Sequence, residues 1–268
     1  MTTTDMKGTH CRNGLWVEQT GEAGEVLVLI HGLGANGAVW DPLLSSAARE
    51  WKGRILVPDL RGHGRSTHRE NYSFGTFAAD IAELLQPADK VCIIGHSLGG
   101  AVGAFIGTGW FGIDVDLVLA LSVKVKWSKE EIQKGRSIAQ NPVKWLASRQ
   151  EALERYLKVS GLAGSGVDMS RSADAGVTEE AGRHRMTADP KIFGCAALGV
   201  DAIMRSVACD FTLAAGAKDP VAPVSEMIAA GFDASAINDA GHDVHVTAPE
   251  EVWRLFLRAR QRVSPARP

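Results

Sequence analysis

No stretch of this chain carries the roughly 20 consecutive apolar residues that a membrane-spanning helix needs, and runs such as Val26–Ile30 and Leu117–Leu121 soon stop. Cysteine is sparse: Cys11, Cys92, Cys195 and Cys209 show no C-x-x-C spacing, which argues against a disulfide framework or a zinc site and for reduced thiols in the cytoplasm. Basic charge is not in excess either. With 29 Lys and Arg against 31 Asp and Glu, the net charge of −2 gives no positive field to attract nucleic acid. Met1–His10 lacks the apolar stretch of a secretory signal, and no internal repeat is visible. What remains is a soluble globular protein, since 268 residues at 45% hydrophobic and 22% charged can bury a core. Arg258–Arg262 and Ser264–Pro268 read as a basic, solvated tail.

Leu15–Gln19 and Glu25–Ile30 flank the Gly-bearing Thr20–Gly24 and read as an opening hairpin. Arg54–Val57, Val91–Ile94, Leu117–Leu121, Phe211–Ala215 and Ala234–Ile237 then have the length of buried parallel strands and alternate with helical stretches. That alternation predicts an α/β fold with a doubly wound, mostly parallel sheet. Helix starts are marked at Asp41-Pro42 and Asn141-Pro142, and capping boxes are expected at Ser128–Glu131 and Thr247–Glu250. The stretch 122–209 is far longer than the dozen or so residues of a crossover. Ser128–Gln140, Pro142–Leu157, Thr178–Thr187 and Lys191–Ser206 read as helices there, with Gly161–Gly166 and Ser170–Gly176 as loops.

Gly95-His96-Ser97-Leu98-Gly99 follows the strand Val91–Ile94 and precedes a small-residue helix. This is the strand-turn-helix context of a nucleophile elbow, in which a sharp turn lifts the serine above the sheet edge and flanking glycines prevent clashes. The amides at the next helix start point at developing negative charge. His31-Gly32-Leu33-Gly34 ends an earlier strand and offers a second donor, the Leu33 amide, beside that of Leu98. A rival reading shares this loop. Gly32-Leu33-Gly34-Ala35-Asn36-Gly37 spells a dinucleotide fingerprint, with Asp59 about 20 residues on as the ribose-binding acid. It leaves Ser97 and His242 unexplained.

Together with Pro58–Ser66, Gly216–Asp219 and Gly241-His242, these motifs resemble the α/β-hydrolase superfamily over residues 14 to 258. The resemblance implies a core domain of 1–122 and 207–268, with flanking helices and a helical cap, 123–206, inserted after the sixth strand. Capped esterases, lactonases and C–C bond hydrolases look most similar. A serine at position 97 departs from the dehalogenases and epoxide hydrolases of the superfamily, whose nucleophile is an aspartate.

A serine hydroxyl needs a base, and the base needs an orienting acid. The expected order of Ser, Asp, His assigns nucleophile to Ser97, acid to Asp219 and base to His242. Leu33 and Leu98 supply the oxyanion amides. Asp219 precedes Pro220 and also reads as an ordinary turn, but Ser122–Lys126 offers no carboxylate in its place, and Asp239 is better suited to its own loop. His245 competes with His242 and reads as a structural or pocket-lining residue; as a metal pair the two find no further ligand at suitable spacing. His63 has a structural role in its turn. Among the cap's aromatic and cationic residues, Trp127 and Arg183, with His245, are candidates for substrate binding, although such residues are equally at home on a solvated face. The implied reaction is hydrolysis of a small-molecule ester or lactone without cofactor or metal. A C–C hydrolase, a thioesterase or a triad-retaining small-molecule receptor would use the same residues.

Overall fold

The computed structural model describes residues 6–196 and 199–263. The chain opens with β1 (Lys7–His10) and β2 (Trp16–Thr20), followed by β3 (Val26–Ile30), α1 (Asp41–Glu50), β4 (Arg54–Pro58), α2 (Phe74–Ala82), β5 (Lys90–His96), α3 (Leu98–Ile106) and β6 (Asp114–Leu121). An inserted segment carries α4 (Lys129–Ala139), α5 (Arg149–Val159), α6 (Ser170–Gly176), β7 (Val177–Glu180), β8 (Arg183–Met186) and α7 (Val200–Arg205). Then come β9 (Asp210–Gly216), α8 (Val224–Ala229), β10 (Ala234–Ile237), α9 (Val244–Thr247) and α10 (Pro249–Arg262).

Eight strands form one sheet in the order β1-β2-β4-β3-β5-β6-β9-β10, parallel from β4 through β10 and antiparallel at β1, β2 and β4. β3 shows why the pattern reads as buried strand: all five residues of Val-Leu-Val-Leu-Ile are buried. Val26, Val28 and Ile30 pack with α2 and α3 on one face, while Leu27 and Leu29 pack with α1 and α10 on the other, as the two-residue strand period requires. The chain leaves β3 for β4 on one side and returns to β5 on the other. This reversal opens a crevice at the carboxyl ends of β3 and β5, where ligands of open α/β sheets bind. Among the described residues no helix is long and apolar enough to cross a membrane.

Several local expectations change. Trp16–Thr20 and Val26–Ile30 do not form a hairpin, because β4 lies between them; the hairpin partner of β2 is β1. Thr178–Thr187 is not a helix but the β7–β8 hairpin, turned by Ala181 and Gly182 at φ 51° and 74°. Two successive positive φ values match the strand twist of a two-residue hairpin loop. Pro142–Ser148 is not helical either: Leu146 bridges to His184 of β8, and the helix starts only after Ser148, whose side chain caps α5. Ser170–Gly176, expected as loop, is α6, while Lys191–Ser206 divides into a short 3-10 turn, Pro190–Cys195, and α7. The Ser128–Glu131 capping box is present. Asp41 makes no side-chain cap and faces Arg171 instead, and Thr247 bonds back to the Asp243 carbonyl rather than capping α10. Arg258–Arg262 is the end of α10, and Ser264–Pro268 lies outside the described residues.

The inserted segment is tied to the sheet at several points. Asn36, fully buried after β3, donates its side-chain amide to the Tyr156 hydroxyl at 2.9 Å and to the Ser172 carbonyl at 2.8 Å. Val200 and Met204 of α7 join the core cluster that holds α3.

Candidate active site

Ser97 sits between β5 and α3 at φ 50° and ψ −113°, a backbone conformation that side chains rarely adopt. The flanking glycines permit it: a Cβ at Gly95 would run into the Gly99 carbonyl, and one at Gly99 into the Ile30 carbonyl. The Ser97 amide donates to Leu121 O at 2.8 Å, fixing the elbow to β6. The turn after β3 is held from behind by fully buried His31, whose Nδ1 donates to Gly32 O at 2.8 Å while its Nε2 accepts the Leu60 amide at 2.9 Å. Burial lowers the His31 pKa to about 4, so the ring is neutral. Leu33 of this turn and Leu98 of α3 both line a cavity with Ser97, and among the described residues neither amide has a hydrogen-bond partner.

Asp59 has a different use from the ribose-binding one. It is fully buried, and its oxygens accept the Gly37 amide at 2.7 Å, the Arg65 amide at 2.8 Å and Arg65 Nε at 3.0 Å. The carboxylate therefore staples two loops and presents nothing to a nucleotide, which removes the chemistry on which the dinucleotide reading depends. His63 is also buried, with Nδ1 donating to Arg61 O at 3.0 Å.

The loops after β9 and β10 are drawn together by Ala217 and Lys218 amides donating to Ile237 and Ala240 carbonyls, each at 2.9 Å. This contact brings Asp219 to His242. Asp219 accepts His242 Nδ1 at 2.9 and 3.1 Å and also the Val221 and Ala222 amides at 2.8 and 3.0 Å. Burial alone would raise the Asp219 carboxyl, but the His242 hydrogen bond and charge, with the two amides, together hold it below the ordinary carboxylate value. An ionised carboxylate only accepts, so Nδ1 carries a ring proton, and the neutral form of the ring then presents its lone pair at Nε2. His96, the residue before Ser97, donates from Nε2 to the His242 carbonyl at 3.0 Å and thereby links the elbow to the histidine loop. Among the described residues the Ser97 hydroxyl makes no hydrogen bond to His242.

The cavity at Ser97 has a volume of about 60 Å³ and is mainly apolar, with Leu33, Phe74, Leu98, Val123, Trp127 and Cys195 in its walls. Burial raises the Cys195 thiol to about 12, so it serves as wall rather than nucleophile. A larger cavity of about 420 Å³, lined by Lys90, Asp114 and Asp210, lies at the amino ends of β5, β6 and β9 and holds none of these groups. Trp127 lines the same cavity as Ser97, and Lys124, also in the wall, is paired with Glu131 at 2.6 Å. Arg183 does not adjoin the cavity: it starts β8 on the exposed side and stacks on Trp145 at 4.7 Å. His245 is 1% exposed and lies behind the site between Trp40 and His96, at ring distances of 4.5 and 4.2 Å, rather than in the cavity wall. It shares a buried group with His96 and Asp243, a carboxylate that the sequence spacing did not bring to notice. Phe74, Val123 and Cys195 were missed as lining residues because an apolar pocket wall and an apolar core look alike in sequence.

The model of the alpha/beta hydrolase family matches residues 27–255. Among curated proteins, the magnesium-chelatase 30 kDa subunit of Rhodobacter capsulatus is 41% identical over 92 residues, covering 32% of each chain. A pimeloyl-[acyl-carrier protein] methyl ester esterase of Aliivibrio salmonicida is 38% identical over 84 residues, 31% of each chain. These matches thus span about a third of the relatives' length. Among solved structures, the thioesterase domain from the curacin biosynthetic pathway superposes with a TM-score of 0.75 at 21% identity, covering 94% of this chain and 99% of the other. E-2-(acetamidomethylene)succinate hydrolase gives 0.78 at 18%, covering 96% and 99%. At such identities the likeness is one of fold.

Proposed function

We propose, from the premise that the chain belongs to the alpha/beta hydrolase family, that it is a serine hydrolase cleaving an ester or lactone bond of a small molecule. The observation that carries the reading is the Asp219–His242 pair, delivered to the end of the sheet at which the strained Ser97 stands and linked to it through His96. His242 Nε2 takes the Ser97 Oγ proton as the oxygen attacks the substrate carbonyl. Asp219 holds the ring and stabilises the imidazolium that forms. The Leu33 and Leu98 amides, at a tight turn and a helix start respectively, stabilise the oxyanion. Collapse expels the alcohol, which receives the proton from His242, and leaves an acyl group on Ser97. Water, deprotonated in turn by His242, attacks this acyl-enzyme and releases the acid. The serine-to-imidazole hydrogen bond forms when substrate closes the site, since such contacts are often long in free enzymes.

Residues 123–206 act in this reading as the cap domain on a core of 1–122 and 207–268, and their Val123, Trp127 and Cys195 shape an apolar acyl pocket. None of the four cysteines is disulfide-bonded, which suits a cytoplasmic setting. A panel of short-chain aryl esters, lactones and thioesters, run on wild type and Ser97→Ala, tests the proposal. Many turnovers per chain on an ester or lactone, abolished by the substitution, are expected. Turnover that survives Ser97→Ala overturns it.

A further inference from the structure

We propose that His96, Asp243 and His245 form a buried binding site for a divalent first-row transition metal, set directly behind the loop that carries His242. One ligand atom from each of the three residues lies within 4.8 Å of the others, and all three side chains are buried. Ligands around a tetrahedral metal at about 2.1 Å stand roughly 3.4 Å apart, so closing the group takes displacements of about 1 Å or less.

His245 lacks the partners that burial demands, and the Asp243 carboxylate accepts no hydrogen bond among the described residues. His245 is 1% exposed, yet neither Nδ1 nor Nε2 meets a hydrogen-bond partner. Asp243 is 8% exposed, and among the described residues no hydrogen bond reaches its carboxylate; the nearest cation-forming group is His96 Nε2 at 3.8 Å from Oδ1. An unsatisfied buried imidazole is costly, and a cation shared with the Asp243 carboxylate relieves it. The donor set also selects the ion. Two imidazoles and one carboxylate suit zinc, cobalt or nickel, whereas calcium and magnesium call for oxygen ligands. Trp40 closes the apolar side of the group at 4.5 Å from the His245 ring.

Occupation has a consequence for the neighbouring loop. His96 Nε2 now donates to the His242 carbonyl. As a metal ligand Nε2 must present its lone pair, so its proton moves to Nδ1 and the hydrogen bond to His242 is lost. Metal at this group therefore releases the anchor of His242 and slows hydrolysis. That coupling rests on the proposed function; binding of the metal does not.

The test uses the full chain freed of metal by a chelator and titrated with Co²⁺, followed by visible absorption, and with Zn²⁺, followed by calorimetry. One equivalent per chain should bind in the micromolar range or tighter, with cobalt bands free of the thiolate charge-transfer absorption that cysteine ligation produces. Asp243→Asn, which preserves shape, and His245→Phe should each weaken binding more than about tenfold. Circular dichroism identifies a variant that fails to fold, and either variant suffices for the comparison. No saturable binding, or binding unchanged in a folded variant, overturns the site and leaves a buried water as its occupant. Ester turnover, measured in parallel, should fall with the same midpoint as zinc binding. Zinc that binds without slowing turnover overturns the coupling, whereas absence of turnover in the metal-free wild type counts against the hydrolase reading while calorimetry still decides the site.

Discussion

The Asp219 carboxylate spans His242 Nδ1 with both oxygens, at 2.9 and 3.1 Å, while Oδ1 also receives the Val221 and Ala222 amides. The same side chain therefore orients a ring and holds its own turn, and substitution separates the two tasks. In Asp219→Asn the amide oxygen still accepts from the turn, so the fold should persist. Turnover should fall on the order of 10⁴-fold if the ring loses its tautomer. Circular dichroism beside kcat on an aryl ester checks both. Full activity with a loss of only about 1 kcal/mol in stability would assign Asp219 to capping alone.

Asp59 separates the two readings of the glycine-rich loop. Removing the buried carboxylate leaves the Gly37 and Arg65 amides without their acceptor, while the Arg65 guanidinium keeps Glu18 at 2.8 Å, so Asp59→Ala should cost about 1–3 kcal/mol in urea unfolding. NADH fluorescence should not change on mixing with wild type. Saturable NADH binding that this substitution abolishes would restore the dinucleotide reading.

Gly99 and Gly241 both flank the site but differ in their surroundings. A Cβ at Gly99 would strike the Ile30 carbonyl, whereas one at Gly241 would meet nothing within 4 Å. Gly99→Ala should destabilise by about 3 kcal/mol or more through overpacking at the elbow, and Gly241→Ala by less than about 0.5 kcal/mol. Denaturant midpoints of the two variants decide this; equal midpoints contradict the close approach of elbow and β3.

Burial lowers the pKa of His31 from 6.5 to about 4 and that of His63 from 6.5 to about 3. Below pH 6.5 the unfolded chain binds protons that the folded rings refuse. Their contribution to stability is thus complete above about pH 6.5 and is lost as pH falls towards the folded values, at about 1.4 kcal/mol per pH unit for each ring. Urea unfolding followed from about pH 7 to about pH 4.5 should show this decline, and His63→Gln should flatten it by one ring's share. An unchanged slope in the variant would contradict a neutral, buried His63.

The α/β class was legible because parallel strands buried on both faces, such as Val26–Ile30, write themselves as continuous apolar runs. The elbow was legible because backbone strain at Ser97 demands glycine on both sides. What escaped notice depends on contacts distant in sequence. Nothing local says that β4 will separate β2 from β3, or that Leu146 will bridge to His184 and unwind the expected start of α5. The β7–β8 hairpin did carry a signal, Gly182, but the polar residues around it also fit a helix face. His96 and His245 stand far apart in the chain, and only packing shows that they share a buried group with Asp243.

Ser97 carries the proposed chemistry, and its reactivity can be read directly. The protein is treated with a fluorophosphonate, digested, and mapped by mass spectrometry to the modified residue. The label should sit on Ser97 alone, in step with loss of ester turnover, and should disappear in Ser97→Ala and weaken strongly in His242→Ala. Modification at another residue, or an inert Ser97 in a protein that still turns over ester, would contradict Ser97 as the nucleophile.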